Sequence, residues 1–272
     1  MRRPMISGNW KMYKNNQEAV RFVQDLVDKL GAVTGVDIVV CPSFTALSEV
    51  GEALEGSNIM LGAQDVFWTA EGAYTGEVSP HMLASAGVEY VIVGHSERRG
   101  RFGTWPADWP EELRSVFGDN DVTVNWKARA ALEAGLTPII CCGETIDERR
   151  AGSTDAVVRD QINAAVEGIT ANDTHSLVFA YEPVWAIGTG EVCDADEANR
   201  VLGLIRALLR DRFGTVGDEL RILYGGSVKP DNIEGLMQQS EIDGGLVGGA
   251  SLETDKFVPL VEAAQRIRGE KT

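Results

Sequence analysis

Four cysteines, three histidines and the absence of any long apolar run each close off a class of function. Cys41, Cys141, Cys142 and Cys193 include no CxxC pair, and His81, His95 and His175 lack metal-site spacing. Neither a zinc site nor a disulfide framework is expected, and buried free thiols are the ordinary outcome. No window approaches the roughly 18 apolar residues of a membrane span, and the opening stretch MRRPMISGNWK has no apolar run of signal-peptide length. The expectation is a cytoplasmic chain that does not enter a membrane. Basic residues are also scarce: 25 Lys and Arg stand against 41 Asp and Glu, for a net charge of −16. No nucleic-acid partner is expected, because neutralising phosphates along a duplex needs basic surface. A small anionic substrate remains open, since a few local donors can hold it against the global field.

With 272 residues, 44% of them apolar, the chain can bury a full core, either as one large α/β barrel or as two smaller domains. Short apolar runs at 5–7, 36–41, 59–63, 90–94, 138–142, 177–181, 221–224 and 245–247 read as strands. Between them, 16–30, 45–54, 81–85, 124–133, 155–166, 195–213 and 256–268 show helical spacing, as in Ala19, Val23, Leu26 and Leu30. Eight apolar strands alternating with helical stretches predict a parallel sheet closed into a (β/α)8 barrel, one domain over 1–272. A doubly wound open sheet fits less well, because no GxGxxG follows the first strand and no linker divides the chain.

The stretch 177–190, LVFAYEPVWAIGTG, organises the rest. Glu182 sits where the sixth strand emerges. Pro183 fixes φ, Val184, Trp185, Ala186 and Ile187 are apolar beyond the strand, and Gly188-Thr189-Gly190 supplies permissive backbone. Apolar residues between a stiff proline and flexible glycines read as a lid, the bland alternative being a βα loop with a solvated Glu. Other strand ends are punctuated alike: Asn9 and Lys11 after the first, His95 after the fourth, Gly225-Gly226-Ser227 after the seventh and Gly248-Gly249 after the eighth. In a barrel these positions share one rim, where βα loops build active sites. A cation, an electrophile and a base would meet there, with glycine turns offering N–H groups to a phosphate. That set suits proton abstraction beside the carbonyl of a phosphorylated sugar.

These same residues carry a likeness. Asn9-Trp10-Lys11-Met12, Gly94-His95-Ser96-Glu97-Arg98-Arg99, Tyr181 to Gly190, Tyr224-Gly225-Gly226-Ser227-Val228 and Leu246 to Ser251 resemble, in order, the signatures of the triosephosphate isomerases. The resemblance implies cofactor-free interconversion of dihydroxyacetone phosphate and glyceraldehyde 3-phosphate through an enediolate. It implies Glu182 as base, His95 as neutral electrophile, Lys11 as cation and Asn9 as orienting residue. Gly188, Ser227, Gly248 and Gly249 would grip the phosphate, Ser96 and Glu97 would support the site, and no metal would take part. The family is itself the standard illustration of an imidazole kept neutral by a helix N-terminus, a helix that Ser96 to Arg99 would form here. Thr75, within Gly72 to Glu77, resembles the loop that reaches into a partner's site in a homodimer.

Two features depart from the family pattern. The lid's far hinge, usually Lys-Thr-Ala, is Glu191-Val192-Cys193, and the segment 100–116 is longer than usual. In that segment Asp108 is expected to cap a helix with Glu111 at its third position and Pro110 in the first turn. Trp105 and Trp109 want either a partner surface or their own barrel. Two other functions stay open: an isomerase of a four-carbon ketose phosphate, which would keep the same catalytic set, and a phosphate-binding barrel without catalysis. The latter needs the glycine turns but neither a base nor an electrophile.

Overall fold

The short apolar runs are rich in β-branched and aromatic residues, and such runs are stable as strands buried on both faces. The computed structural model describes residues 2–269; residue 1 and residues 270–272 of the expected 1–272 domain lie outside the described residues. The strands are β1 Met5–Asn9, β2 Asp37–Cys41, β3 Ile59–Ala63, β4 Tyr90–Val93, β5 Thr137–Cys142, β6 Val178–Tyr181, β7 Arg221–Tyr224 and β8 Gly244–Val247. Each pairs in parallel with the next, and Met5 opposite Gly244 joins β1 to β8, so the sheet closes into a barrel. Alternate residues then serve two cores. Met5, Val39, Cys41, Ile92, Ile139 and Leu223 fill the barrel interior, while Ile6, Val40, Val93, Ile140, Phe179 and Ile222 face the helices.

The helical layer comprises α1 Asn16–Leu30, α2 Leu47–Leu54, α3 Pro80–Ser85, α4 Asp121–Glu133, α5 Ile146–Arg150, α6 Thr154–Ala165, α7 Ala195–Phe213, α8 Ile233–Met237 and α9 Thr254–Arg268. In α1 the Asn15 side chain accepts the Glu18 N–H while Glu18 returns a bond to the Asn15 N–H, which fixes the start of the helix. The spacing of Ala19, Val23, Leu26 and Leu30 then buries one stripe, each large side chain contributing about 1.5–3 kcal/mol.

Segment 100–116 corrects one expectation. No α-helix capped by Asp108 forms; the chain instead makes a 3-10 helix over Glu111–Val116. Leu113 N–H closes an i→i+3 turn on the Pro110 carbonyl at 3.1 Å, and Phe117, directly after the turn, packs against Trp105 and Trp109 with centroids 6.3 and 6.5 Å away, which ends the winding there. Trp105 and Trp109 pack on each other with ring centroids 5.5 Å apart, and Trp105 also meets Phe102 at 5.4 Å. These ring contacts lie within the segment and its Phe117 edge, and Trp109 stays 41% exposed.

Candidate active site

The carboxyl ends of the strands deliver the polar residues to one place because parallel strands all point the same way. Asn9 ends β1, His95 follows β4 by two residues, Glu182 follows β6 directly, and Gly248 follows β8. A cavity of about 660 Å³ opens between them, lined by Asn9, Lys11, His95, Ser227, Gly248 and Gly249, with Ile187 and Gly188 along one wall. Among the described residues, no protein acceptor takes the N–H of Ser227, Gly248 or Gly249.

Glu182 is only 1% exposed and lies beside the cavity rather than in its wall. Its Oε1 stands 2.9 Å from His95 Nε2, its Oε2 accepts the Ser96 N–H at 2.9 Å, and the Ser96 hydroxyl is 3.3 Å from Oε1. Burial works against its ionisation. The His95 ring, the Ser96 N–H and Lys11 nevertheless outweigh burial and hold the carboxyl below the usual carboxylate range. His95 Nδ1 accepts the Glu97 N–H at 3.2 Å, so the proton of a neutral imidazole belongs on Nε2, the nitrogen facing Glu182. Ser96 to Arg99 is not a helix, as was expected, but a run of turns with Arg98 N–H on the His95 carbonyl at 2.8 Å. Arg98 and Arg99 N–H both close on the His95 carbonyl and Arg101 N–H on the Ser96 carbonyl at 2.9 Å, so the chain winds once and leaves, and the Glu97 N–H on Nδ1 orients the ring.

Lys11 carries a backbone φ of +53°, costly by about 1–2 kcal/mol for a residue with a Cβ. Asn9 Oδ1 accepts the Lys11 N–H at 3.0 Å, and Gln64 Nε2 donates to the Lys11 carbonyl at 2.8 Å, which holds that conformation. The ammonium reaches Glu97 Oε1 at 2.6 Å and lies along Gly248. A cation, an imidazole N–H and a carboxylate therefore share one rim, a set able to polarise a carbonyl and move a proton beside it.

The lid residues Pro183 to Gly190 begin with a 3-10 turn over Val184–Ala186, whose side chains are buried. Two supports of the site escaped sequence reasoning. Glu144, fully buried two residues past β5, accepts the Trp185 Nε1–H at 2.8 Å and the Tyr181 hydroxyl at 3.1 Å. Burial raises its carboxyl above the usual range although these donors and Arg149 pull it down. Its signal was a carboxylate at the same strand-end position that singled out His95 and Glu182. Gln64, one residue past β3, carried the same signal. Thr75, by contrast, sits in an exposed loop and does not line the cavity.

The family model described as triosephosphate isomerase matches residues 4–264, which include every one of these strand ends. The chain belongs to the triosephosphate isomerase family. It is 51% identical to the triosephosphate isomerase of Carboxydothermus hydrogenoformans over 97% of this chain and 100% of that one. With the Citrifermentans bemidjiense protein of the same name it shares 47% over 97% of this chain and 100% of the relative. The crystal structure of triosephosphate isomerase from Bartonella henselae superposes with a TM-score of 0.82 at 32% identity, covering 97% of this chain and 99% of the other. Glu97 pairs with Lys11, and Ser96 with Glu182. Among the described residues, no three His, Cys, Asp or Glu side chains group to hold a metal, and no helix is long and apolar enough to cross a membrane.

Proposed function

We propose that the chain interconverts dihydroxyacetone phosphate and D-glyceraldehyde 3-phosphate in glycolysis and gluconeogenesis, with Glu182 moving the proton. The observation that carries this reading is the 2.9 Å approach of Glu182 Oε1 to His95 Nε2 beside a cavity with a lysine and free backbone donors. Glu182 takes a proton from the carbon next to the carbonyl, and the C–H electron pair moves to give an enediolate. His95 Nε2–H donates to the carbonyl oxygen as charge develops there, Lys11 offsets that charge, and Asn9 orients both substrate and Lys11. Glu182 then returns the proton to the former carbonyl carbon, while His95 passes its Nε2 proton to the oxygen there and takes up the hydroxyl proton from the neighbouring oxygen, which becomes the aldehyde carbonyl. Gly188, Ser227, Gly248 and Gly249 hold the phosphate, and residues 183–190 close over it to keep water from the enediolate.

The same reading takes the chain as one cytoplasmic barrel domain, with 100–116 as an insertion, that works as a homodimer. Met12, Tyr13, Phe44, Tyr74 and Met82 are exposed apolar side chains, which supports a buried pairing face around Thr75. Thr75→Arg should give a concentration-dependent monomer in sedimentation, with activity lost in parallel on dilution; a fully active monomeric parent would remove the dimer. Parallel assays on triose and tetrulose phosphates test the substrate. The triose phosphates should be favoured in kcat/KM, and preference for the four-carbon substrate would overturn the assignment.

A further inference from the structure

Segment 100–116 touches the lid, and the contact depends on one glycine. A Cβ added to Gly103 would fall 2.5 Å from the Ile187 carbonyl oxygen, 2.7 Å from Thr189 Cγ2 and 3.0 Å from the Val184 carbonyl oxygen. Side-chain carbons do not approach that closely. Gly103 is not among the residues with positive φ, so the position demands space rather than an unusual backbone.

The glycine is held from both sides. Arg101 N–H donates to the Ser96 carbonyl at 2.9 Å, and the Arg101 guanidinium pairs with Glu148, which also accepts the Thr145 N–H at 2.7 Å. Phe102 packs on Trp105 and on Phe117, and Trp105 Nε1 donates to the Trp109 carbonyl at 3.0 Å. The lid's other side faces the cavity through Ala186, Ile187 and Gly188, and no residue of 100–116 lines that cavity. Segment 100–116 therefore backs the lid from the side away from the phosphate-binding glycines. Ser96 links the two devices, since its N–H holds Glu182 while its carbonyl holds Arg101.

We infer that Arg101 to Gly103 form a seat for the lid in its outward position, which makes Gly103 a positioning residue that sets how readily the lid closes and so how tightly a phosphate ester binds. This rests on the proposed reading of the cavity as a phosphate site closed by residues 183–190. Moving Ile187 toward Ser227 and Gly249 takes it off Gly103, so the seat's contacts belong to the outward position alone. A ligand that binds the closed lid must work against them, and weakening the seat shifts the population towards closure.

The test uses glycerol 3-phosphate, a phosphate ester of substrate size with no carbonyl to enolise. In Gly103→Ala the new methyl pushes the lid off its seat, and both the calorimetric Kd for this ester and the KM for triose phosphate should fall together by about three- to tenfold. Amide hydrogen exchange across 184–190 should be faster than in the parent when no ester is added. Arg101→Ala, which loosens the seat without adding atoms, should lower Kd in the same direction, and it decides the matter if the alanine at 103 prevents folding. Unchanged or weaker ester binding in the folded variants would overturn the seat. A parent that binds the ester but does not isomerise triose phosphates would overturn the isomerase reading and leave the Kd comparison as a valid test of the seat.

Discussion

Trp185 Nε1 donates to Glu144 Oε1 at 2.8 Å, and this bond ties the near end of the lid to the rim at β5. The Arg149 guanidinium covers the same indole at 4.2 Å and pairs with Glu197 at 3.0 Å in the first turn of α7, just beyond the far hinge. Arg149 of α5 thus touches both the near end of the lid and the helix beyond its far hinge, with Ile187 to Gly190 between these contacts.

Trp185→Phe keeps a ring under Arg149 but removes a donor from a buried carboxylate. Losing a hydrogen bond to a charged group should lower stability by about 1.5–3 kcal/mol, read as a lower urea midpoint with an unchanged slope. An unchanged midpoint would mean that the Glu144 carboxylate does not depend on the indole.

A second buried network lies behind the His95 loop. Lys127, 2% exposed, reaches Asp65 Oδ1 at 2.7 Å and Asp119 Oδ1 at 2.7 Å. Lys127→Met leaves the buried Asp119 without its cation and Asp65 with Arg98 alone, at 2.9 Å, and should cost about 3–5 kcal/mol. Burial already holds the Asp65 carboxyl above its usual range, against the pull of Lys127 and Arg98. For an acid with a raised pKa, stability is present below the unfolded value and is lost as pH rises through the folded one. Without Lys127 that loss grows, so the stability deficit of the variant should be smaller near pH 5 than near pH 8. A deficit independent of pH would contradict the charge account.

The four thiols are all buried, and burial pushes those of Cys41 and Cys193 up to about 12. At pH 8 an aromatic disulfide reagent should leave the native chain unlabelled and titrate four thiols in denaturant. Rapid native labelling would place at least one cysteine on an accessible surface.

The barrel was legible in the sequence because strands buried on both faces read as unbroken apolar runs, and α1 and α7 because their stripes persist for several turns. Helices α5 and α8, five residues each, were not named. Asn9, Lys11, His95 and Glu182 stood out as polar residues at strand ends. Glu144 did not, because its role depends on Tyr181 and Trp185 arriving from β6 and the lid. The contact of Gly103 with Ile187 was invisible for the same reason, as it joins segments that only the closed barrel brings together.

Whether Glu182 carries the proton is decided by following the isomerisation in D2O. The parent should convert dihydroxyacetone phosphate to an aldose carrying deuterium at C2, because the proton held by Glu182 exchanges with solvent. Glu182→Gln should slow both isomerisation and deuterium uptake by at least ~10²–10⁴-fold while binding of glycerol 3-phosphate changes much less. Isomerisation and exchange at near-parent rates in Glu182→Gln would contradict the account.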